Sequence, residues 1–386
     1  MKRLFTTTAL AGLVSAGLAV PALADQGVSD TEIVIGSNGD LSGPFAAFNV
    51  QAVKAAQIIF DDVNAKGGIH GRTIRFVVED HGYQVPKAVQ NYNKLVNADK
   101  VFAMILNLGT PHVLAGFKLM DPAKVANVAP LTAARQLTTE GDAALHYSGF
   151  STYYDQIRTG VDYLAKEKGA KEVCSMFLPT EFGVEIQEAT KDQAPDSGLT
   201  YAAETTHKPD EQDFVGSLTK LKEAGCDIIT TALGVRQTII VLGTAKKLGW
   251  ADVSFLGSSA AFNTAVAKVQ GGPAEGFYAA SGWADFEARL SDPELKAWAE
   301  NFQAKTGEAP GTAAQLGWSA GDTLVRALEA AGKDLNAATF QTAMEGLKYD
   351  DKVLDTSIDM GADHIGGGAV FVSKVDGGMW KEVMRK

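Results

Sequence analysis

Glu32-Ile33-Val34-Ile35-Gly36 opens a short apolar, β-branched run, and the succession of strand, turn and helix that it begins decides the fold. A polar turn, Leu41-Ser42-Gly43-Pro44, leads into a helical pattern from about Ala46 to Asn64. There Val53, Ala56, Ile59, Phe60 and Val63 recur at helical spacing, and the pattern stops at Lys66-Gly67-Gly68. The cycle repeats with the run Ile74 to Val78, a helix from Pro86 to Asn97, the run Val101 to Leu106 and the run Ala126 to Leu131. Alternation of this kind predicts parallel strands with helices on both faces. The rhythm restarts with a helix from Tyr154 to Lys168 and the runs Val173 to Leu178, Thr200 to Glu204, Ile228 to Ala232 and Ser254 to Gly257, separated by helical stretches. Two successive series imply two similarly built lobes. The tail differs, with helices around 293–306, 314–331 and 337–347, then a hairpin turning at Asp376-Gly377-Gly378. No low-complexity linker separates the lobes, so the chain is expected to cross between them more than once.

Residues 1–24 read as a secretion signal. Lys2 and Arg3 precede an apolar run from Leu10 to Val20, and Ala22 and Ala24 put small side chains at the minus-three and minus-one positions before Asp25. The run is short of the roughly 20 residues of a spanning helix. With no cysteine at the expected new N-terminus, a lipid anchor there is excluded, and the product is expected in the periplasm. The chain has 386 residues and a net charge of −11. At roughly 100–200 residues per domain two domains fit, and the acidic balance argues against nucleic acid or an anionic membrane as partner. Cys174 and Cys226 are the two cysteines. They lie at the starts of neighbouring strands, where a bridge is open but two buried free thiols are favoured.

Enzyme motifs are absent: no phosphate loop, no HExxH, no GxSxG elbow and no paired cysteines of zinc spacing. The six histidines show no ligand spacing. There remain the strand-end loops of small polar residues: Ser42-Gly43-Pro44, Asn107-Leu108-Gly109-Thr110-Pro111 and Pro130-Leu131-Thr132-Ala133. In open α/β sheets ligands bind beyond the carboxyl ends of strands, where helix N-termini favour anions. One such loop reads as an N-cap or turn; three in one lobe point to a carboxylate cradle.

These segments, with Asn64-Ala65-Lys66-Gly67-Gly68-Ile69-His70-Gly71-Arg72, Glu79-Asp80-His81-Gly82-Tyr83 and Asp213-Phe214, resemble the extracytoplasmic solute-binding proteins of branched-chain amino-acid-type ABC importers over essentially the whole exported chain. The resemblance implies a type I periplasmic binding protein. That means two Rossmann-like α/β lobes with parallel-sheet cores, joined by a three-crossing hinge, that close over a small molecule and pass it to membrane permease subunits. The first lobe is expected from 25–146 and 280–355, the second from 147–279 and 356–386. A monomer without cofactor, metal or catalytic residues is expected. Presentation of the ligand to a sensor is the other role the same clamshell could serve.

In the family the first lobe holds an amino acid's carboxylate, and Gly109, Thr110, Thr132 and Ala133 match those positions. The ammonium usually meets an acid after the strand that here reads Ser254 to Gly257, but this chain continues Ser258-Ser259-Ala260-Ala261-Phe262. An unpaired buried ammonium costs several kcal/mol, so an aromatic carboxylate or branched 2-oxo acid is favoured over a neutral amino acid unless Asp285 or Glu181 reaches in; amides come third. The resemblance places Tyr83, Phe182 and Trp318 on the ligand wall, with Tyr153, Tyr154 and Phe262 as weaker candidates. Closure would bring Phe182, Gly234, Arg236, Ser258 and Ser259 over the ligand, Arg236 as the second lobe's polar contact.

Overall fold

The computed structural model describes residues 26–386; the leader read over 1–24 lies outside them. The first sheet has five parallel strands: β1 (Glu32–Gly39), β2 (Thr73–Asp80), β3 (Ala103–Ile105), β4 (Ala126–Val128) and β5 (His146–Tyr147), in the order β2-β1-β3-β4-β5. β1 is buried from Ile33 onward because it pairs on both edges and is covered on both faces. From β1 the chain turns outward to β2 and then returns to β3 on its other side. The loops after these strands therefore diverge and leave a crevice at their carboxyl ends.

The second sheet takes β6 (Glu172–Phe177), β7 (Thr200–Thr206), β8 (Ile228–Ala232), β9 (Ser254–Gly257) and β10 (Tyr278–Ser281) in parallel. After a small hairpin, β11 (Lys348–Asp351) with β12 (Thr356–Asp359), the strands β13 (Phe371–Asp376) and β14 (Met379–Arg385) complete it antiparallel, in the order β14-β13-β10-β9-β8-β6-β7. Gly377 and Gly378 both have positive φ, as a tight two-residue turn of this hand requires. Both lobes are thus parallel-sheet-rich α/β units.

Helix Thr312–Ala331 returns to the first lobe and packs along helix Ala46–Ala65. Gly317 allows this: a Cβ there would stand 2.0 Å from the Ala52 carbonyl oxygen. The chain passes between lobes after β5, after β10 and before β13, and these passages lie side by side. Ser148 N–H donates to His364 O (2.8 Å), Gly366 N–H to Ser148 O (2.9 Å) and Ser151 Oγ to Ala369 O (2.9 Å).

One element is new and two expectations change. The β11–β12 hairpin is not predicted from the sequence, since its charged residues mask any alternation; Asp351 holds its turn by accepting from the Val353 and Leu354 amides. Ile358 and Met360 pack into the core under the first sheet, so the last lobe boundary falls beyond residue 360 and not at 355/356. Cys174 and Cys226 form a disulfide, their Cα atoms 5.8 Å apart, where the sequence favours free thiols. Pairing of β6 with β8 brings the two chain positions together, which spacing along the chain does not reveal.

Candidate ligand-binding site

Tyr83, Leu106 and Ala129 sit in three loops at the carboxyl edge of the first sheet, all with left-handed backbones (φ 58°, 55° and 42°). Strain of this kind in non-glycine residues collects where loops are held for function. Gly109 joins them at φ 91° and delivers the chain into helix Thr110–Met120. Beneath the loops runs an amide ladder. Asn107 accepts from Asn38 N–H (2.9 Å) and donates to Asn127 (2.8 Å), while Asn38 Oδ1 accepts from Asn91 (3.0 Å). Asn107 therefore supports the loops from below.

Above this floor the lobes enclose a cavity with an empty volume of about 460 Å³, counting its opening to solvent. The first lobe contributes Gly109, Thr110, Leu131 and Thr132, with Leu108, Tyr83, Phe45, Phe48 and Leu316 around them. Phe150, Tyr153, Phe182, Ser259, Ala260 and Trp283 close it from the crossings and the second lobe. Seven of these fifteen residues are aromatic and none is charged, so the cavity suits an apolar body. Phe45 stacks on Tyr83 at 4.4 Å between ring centroids and meets Phe182 edge-on at 6.3 Å across the cleft. Tyr153 meets Phe182 at 5.1 Å and Phe150 meets Trp283 at 4.7 Å. Edge-on and offset pairs of this type add about 0.5–1.5 kcal/mol each beyond their buried area.

The polar side is compact. The Thr110 and Thr132 hydroxyl oxygens are 2.6 Å apart, both buried, at the start of helix Thr110–Met120, where the first amides of a helix lack partners within it. Behind them His81 and His112 stack at 4.5 Å, and burial pushes both imidazoles down to about 4, so they are neutral at pH 7. His81 donates from Nε2 to Leu108 O and accepts the Tyr83 N–H at Nδ1, while neither ring nitrogen of His112 has a partner. An anion here would meet hydroxyls and a helix N-terminus instead of a cation.

A family model described as periplasmic binding protein matches residues 32–379. The chain belongs to the periplasmic binding proteins. Its relatives place it with the type I, branched-chain amino-acid ABC importer group. The leucine-, isoleucine-, valine-, threonine- and alanine-binding protein of Pseudomonas aeruginosa is 25% identical over 91% of this chain and 92% of its own. The fatty acid ABC transporter substrate-binding protein from Thermomonospora curvata is 26% identical, with a TM-score of 0.83 over 93% of both chains. An ABC transporter solute-binding protein from R. palustris in complex with benzoate shares the fold at 18% identity, with a TM-score of 0.80 over 92% of this chain and 96% of that one.

Not every residue singled out from the sequence reaches the cavity of this binding protein. Trp318 lies two residues after Leu316, about 200° around the helix at 3.6 residues per turn, and packs outward against Trp298 at 6.2 Å. Arg236 is exposed at the start of helix Val235–Lys247; the inward residue there is Gln237, which accepts from Gly234 N–H and donates to Lys208 O. Ser42 is exposed and donates to Asp80 (2.7 Å). Ser258 is buried beside the cavity, its hydroxyl accepting from Ala260 N–H (3.3 Å). Gly234 covers the outer side of Phe45, close enough that a Cβ would stand 3.5 Å from the ring. Ala133 accepts the Tyr153 N–H (2.8 Å). Phe262 belongs to the second-lobe core against Trp283 and Trp380, and Tyr154 donates to Asp192 on the surface. Sequence reasoning missed Phe45, Phe48, Phe150, Ala260, Trp283 and Leu316. The strand-end rule, applied to β10, would have pointed to Trp283 two residues beyond its end.

Among the described residues no helix is long and apolar enough to cross a membrane, and no cluster of His, Cys, Asp or Glu could hold a metal ion.

Proposed function

We propose that the protein captures a small organic acid with an apolar body, an aromatic carboxylate or a branched 2-oxo acid, and delivers it from the periplasm to the permease of an ABC importer. The observation that carries this reading is an uncharged, aromatic-walled cavity set against a buried hydroxyl pair at a helix N-terminus. Amino acids and fatty acids, the ligands in the names of the two relatives at 25–26% identity, share a carboxylate and differ in the ammonium. This cavity supports the shared half. Asp285 is buried away from it, with a carboxyl pushed up to about 7 by burial, and Glu181 is exposed. An amino acid would leave its ammonium without a counter-charge, at several kcal/mol.

Thr110, Thr132 and the helix N-terminus would take the carboxylate in the open protein. Phe182, Ser259 and Trp283 would then cover the apolar body as the lobes close. Ligand shifts the population only by its differential affinity for the closed form, and no bond is made or broken.

Thermal unfolding across a panel of neutral amino acids, 2-oxo acids, aromatic acids and amides tests the reading. A ligand at one hundred times its Kd adds about 2.7 kcal/mol of stability. Shifts with aromatic or 2-oxo acids and none with leucine are expected. A shift with leucine alone would overturn it.

A further inference from the structure

We infer that Thr264 and Thr312 form a latch between the lobes that engages only over a ligand small enough to let them close, and that this latch sets a preference for short acids over long-chain ones. The inference rests on the organic-acid reading and deepens it to a limit on length. Neither threonine lines the cavity. Thr264 follows β9 in the second lobe and opens the short helix Thr264–Ala267, whereas Thr312 opens helix Thr312–Ala331, which packs on the first lobe.

The two helix starts exchange caps. Thr264 N–H donates to Thr312 Oγ1 (3.2 Å), Thr312 N–H donates to Thr264 Oγ1 (2.9 Å), and the two hydroxyl oxygens are 3.0 Å apart. First-turn amides have no partner within their own helix, and Gly311, at the N-cap of the longer helix, has no side chain to supply one. Each lobe thus satisfies an amide that the other leaves open. Asn263 adds a further bond across the cleft, from its side-chain amide to Ala47 O (3.3 Å).

Both ends of the latch are anchored in their own lobes. Gln51, on helix Ala46–Ala65, accepts from Gly311 N–H (2.8 Å) and donates to Ala309 O (3.1 Å), which fixes the chain leading into Thr312. On the other side Trp380 Nε1 of β14 donates to Asn263 O (3.1 Å). The latch also adjoins the cavity: Ala260 precedes Thr264 by about one turn's length of chain, Leu316 follows Thr312 by one helical turn, and both line the wall. Hydrogen bonds fail beyond about 3.5 Å. An acid contained in the cavity therefore lets the latch form, while a body that props the lobes apart leaves both threonines to water.

T312V and T264V keep the side-chain shape and each leave one amide of the closed protein unpaired; T312S and T264S keep the hydroxyl. Calorimetric titration of the purified protein with benzoate and 4-methyl-2-oxopentanoate should show Kd rising about tenfold in each valine variant and changing by less than about threefold in the serine ones, as the loss of a partner to a buried donor requires. Stopped-flow binding should place the loss in the dissociation rate, since the latch forms after the ligand has entered. Decanoate should bind wild type about tenfold or more weakly than benzoate, because it forgoes the latch, and should lose nothing further in the valine variants. Decanoate binding wild type as tightly as benzoate, equal losses for the two, or an unchanged benzoate Kd in both valine variants overturns the inference. Wild-type protein that binds leucine and no acid removes the organic-acid reading; the latch then requires the same loss of leucine affinity in T312V and T264V, and falls if that affinity holds.

Discussion

Gly109→Ala tests whether the backbone turn into helix Thr110–Met120 is built for ligand approach. At φ 91° and ψ 125° Gly109 occupies a region that costs a residue with a side chain about 1–3 kcal/mol. The new Cβ would also lie 2.6 Å from His112 Nδ1 and 3.2 Å from Tyr83 Cε2, so it must displace the ring stack behind the hydroxyl pair. Gly307→Ala isolates the first effect: Gly307 has φ 76° at the end of helix Pro293–Thr306, and a Cβ there meets nothing within 4 Å. At roughly 2–4 °C per kcal/mol, Gly307→Ala should lower the unfolding midpoint by a few degrees and leave acid binding unchanged. Gly109→Ala should lower it further and weaken acid binding at least tenfold, read by calorimetry at a temperature where both variants are folded. Wild-type affinity in Gly109→Ala would refute the placement of the anion at this turn.

Trp318→Ala should cost about 1–3 kcal/mol of stability, less than the 3–5 of a fully buried site, with no change in ligand Kd; a weakened Kd would return Trp318 to the cavity. Replacing both cysteines by serine opens a bridge between positions 52 residues apart. The loop-entropy model puts that loss at about 4 kcal/mol, measurable by urea unfolding, and an unchanged midpoint would mean that the bridge does not form in the purified protein. Burial raises the Glu185 carboxyl to about 7, against an ordinary value of 4.5, despite its two amide donors and the neighbouring Arg135. Its stabilising contribution is therefore full below pH 4.5 and lost as pH rises through 7. Relative to wild type, Glu185→Gln should gain stability over that window, by up to about 3 kcal/mol. A pH-independent difference between the two proteins would refute the shift.

The alternation of apolar runs and helical stretches from Glu32 onward was enough for two α/β lobes, because strand and helix periodicities are local properties that a burial pattern imprints on neighbouring residues. The same locality made the Gly377-Gly378 turn legible, and the Thr110 and Thr132 loops as well, since they come directly after strand ends. The surroundings of those loops were not legible. Phe45, Phe150, Phe182 and Trp283 come from four distant parts of the chain and meet only in the folded structure. Leu316 faces the cavity and Trp318 faces away because the packing of Gly317 on Ala52 sets the rotation of that helix, which its own sequence leaves open. Tyr153 lines the cavity and Arg236 does not for a similar reason. Either residue type can serve an anion, but the clamp of Glu185 on Arg135 and Tyr154 turns one helix start inward, whereas at the other it is Gln237 that turns in and Arg236 stays in water. Local patterning determines which faces are buried; the choice of partner across a cleft depends on helix rotation and on how the lobes meet, and these are set by contacts between different elements of the fold, such as Gly317 on Ala52 and Glu185 on Arg135.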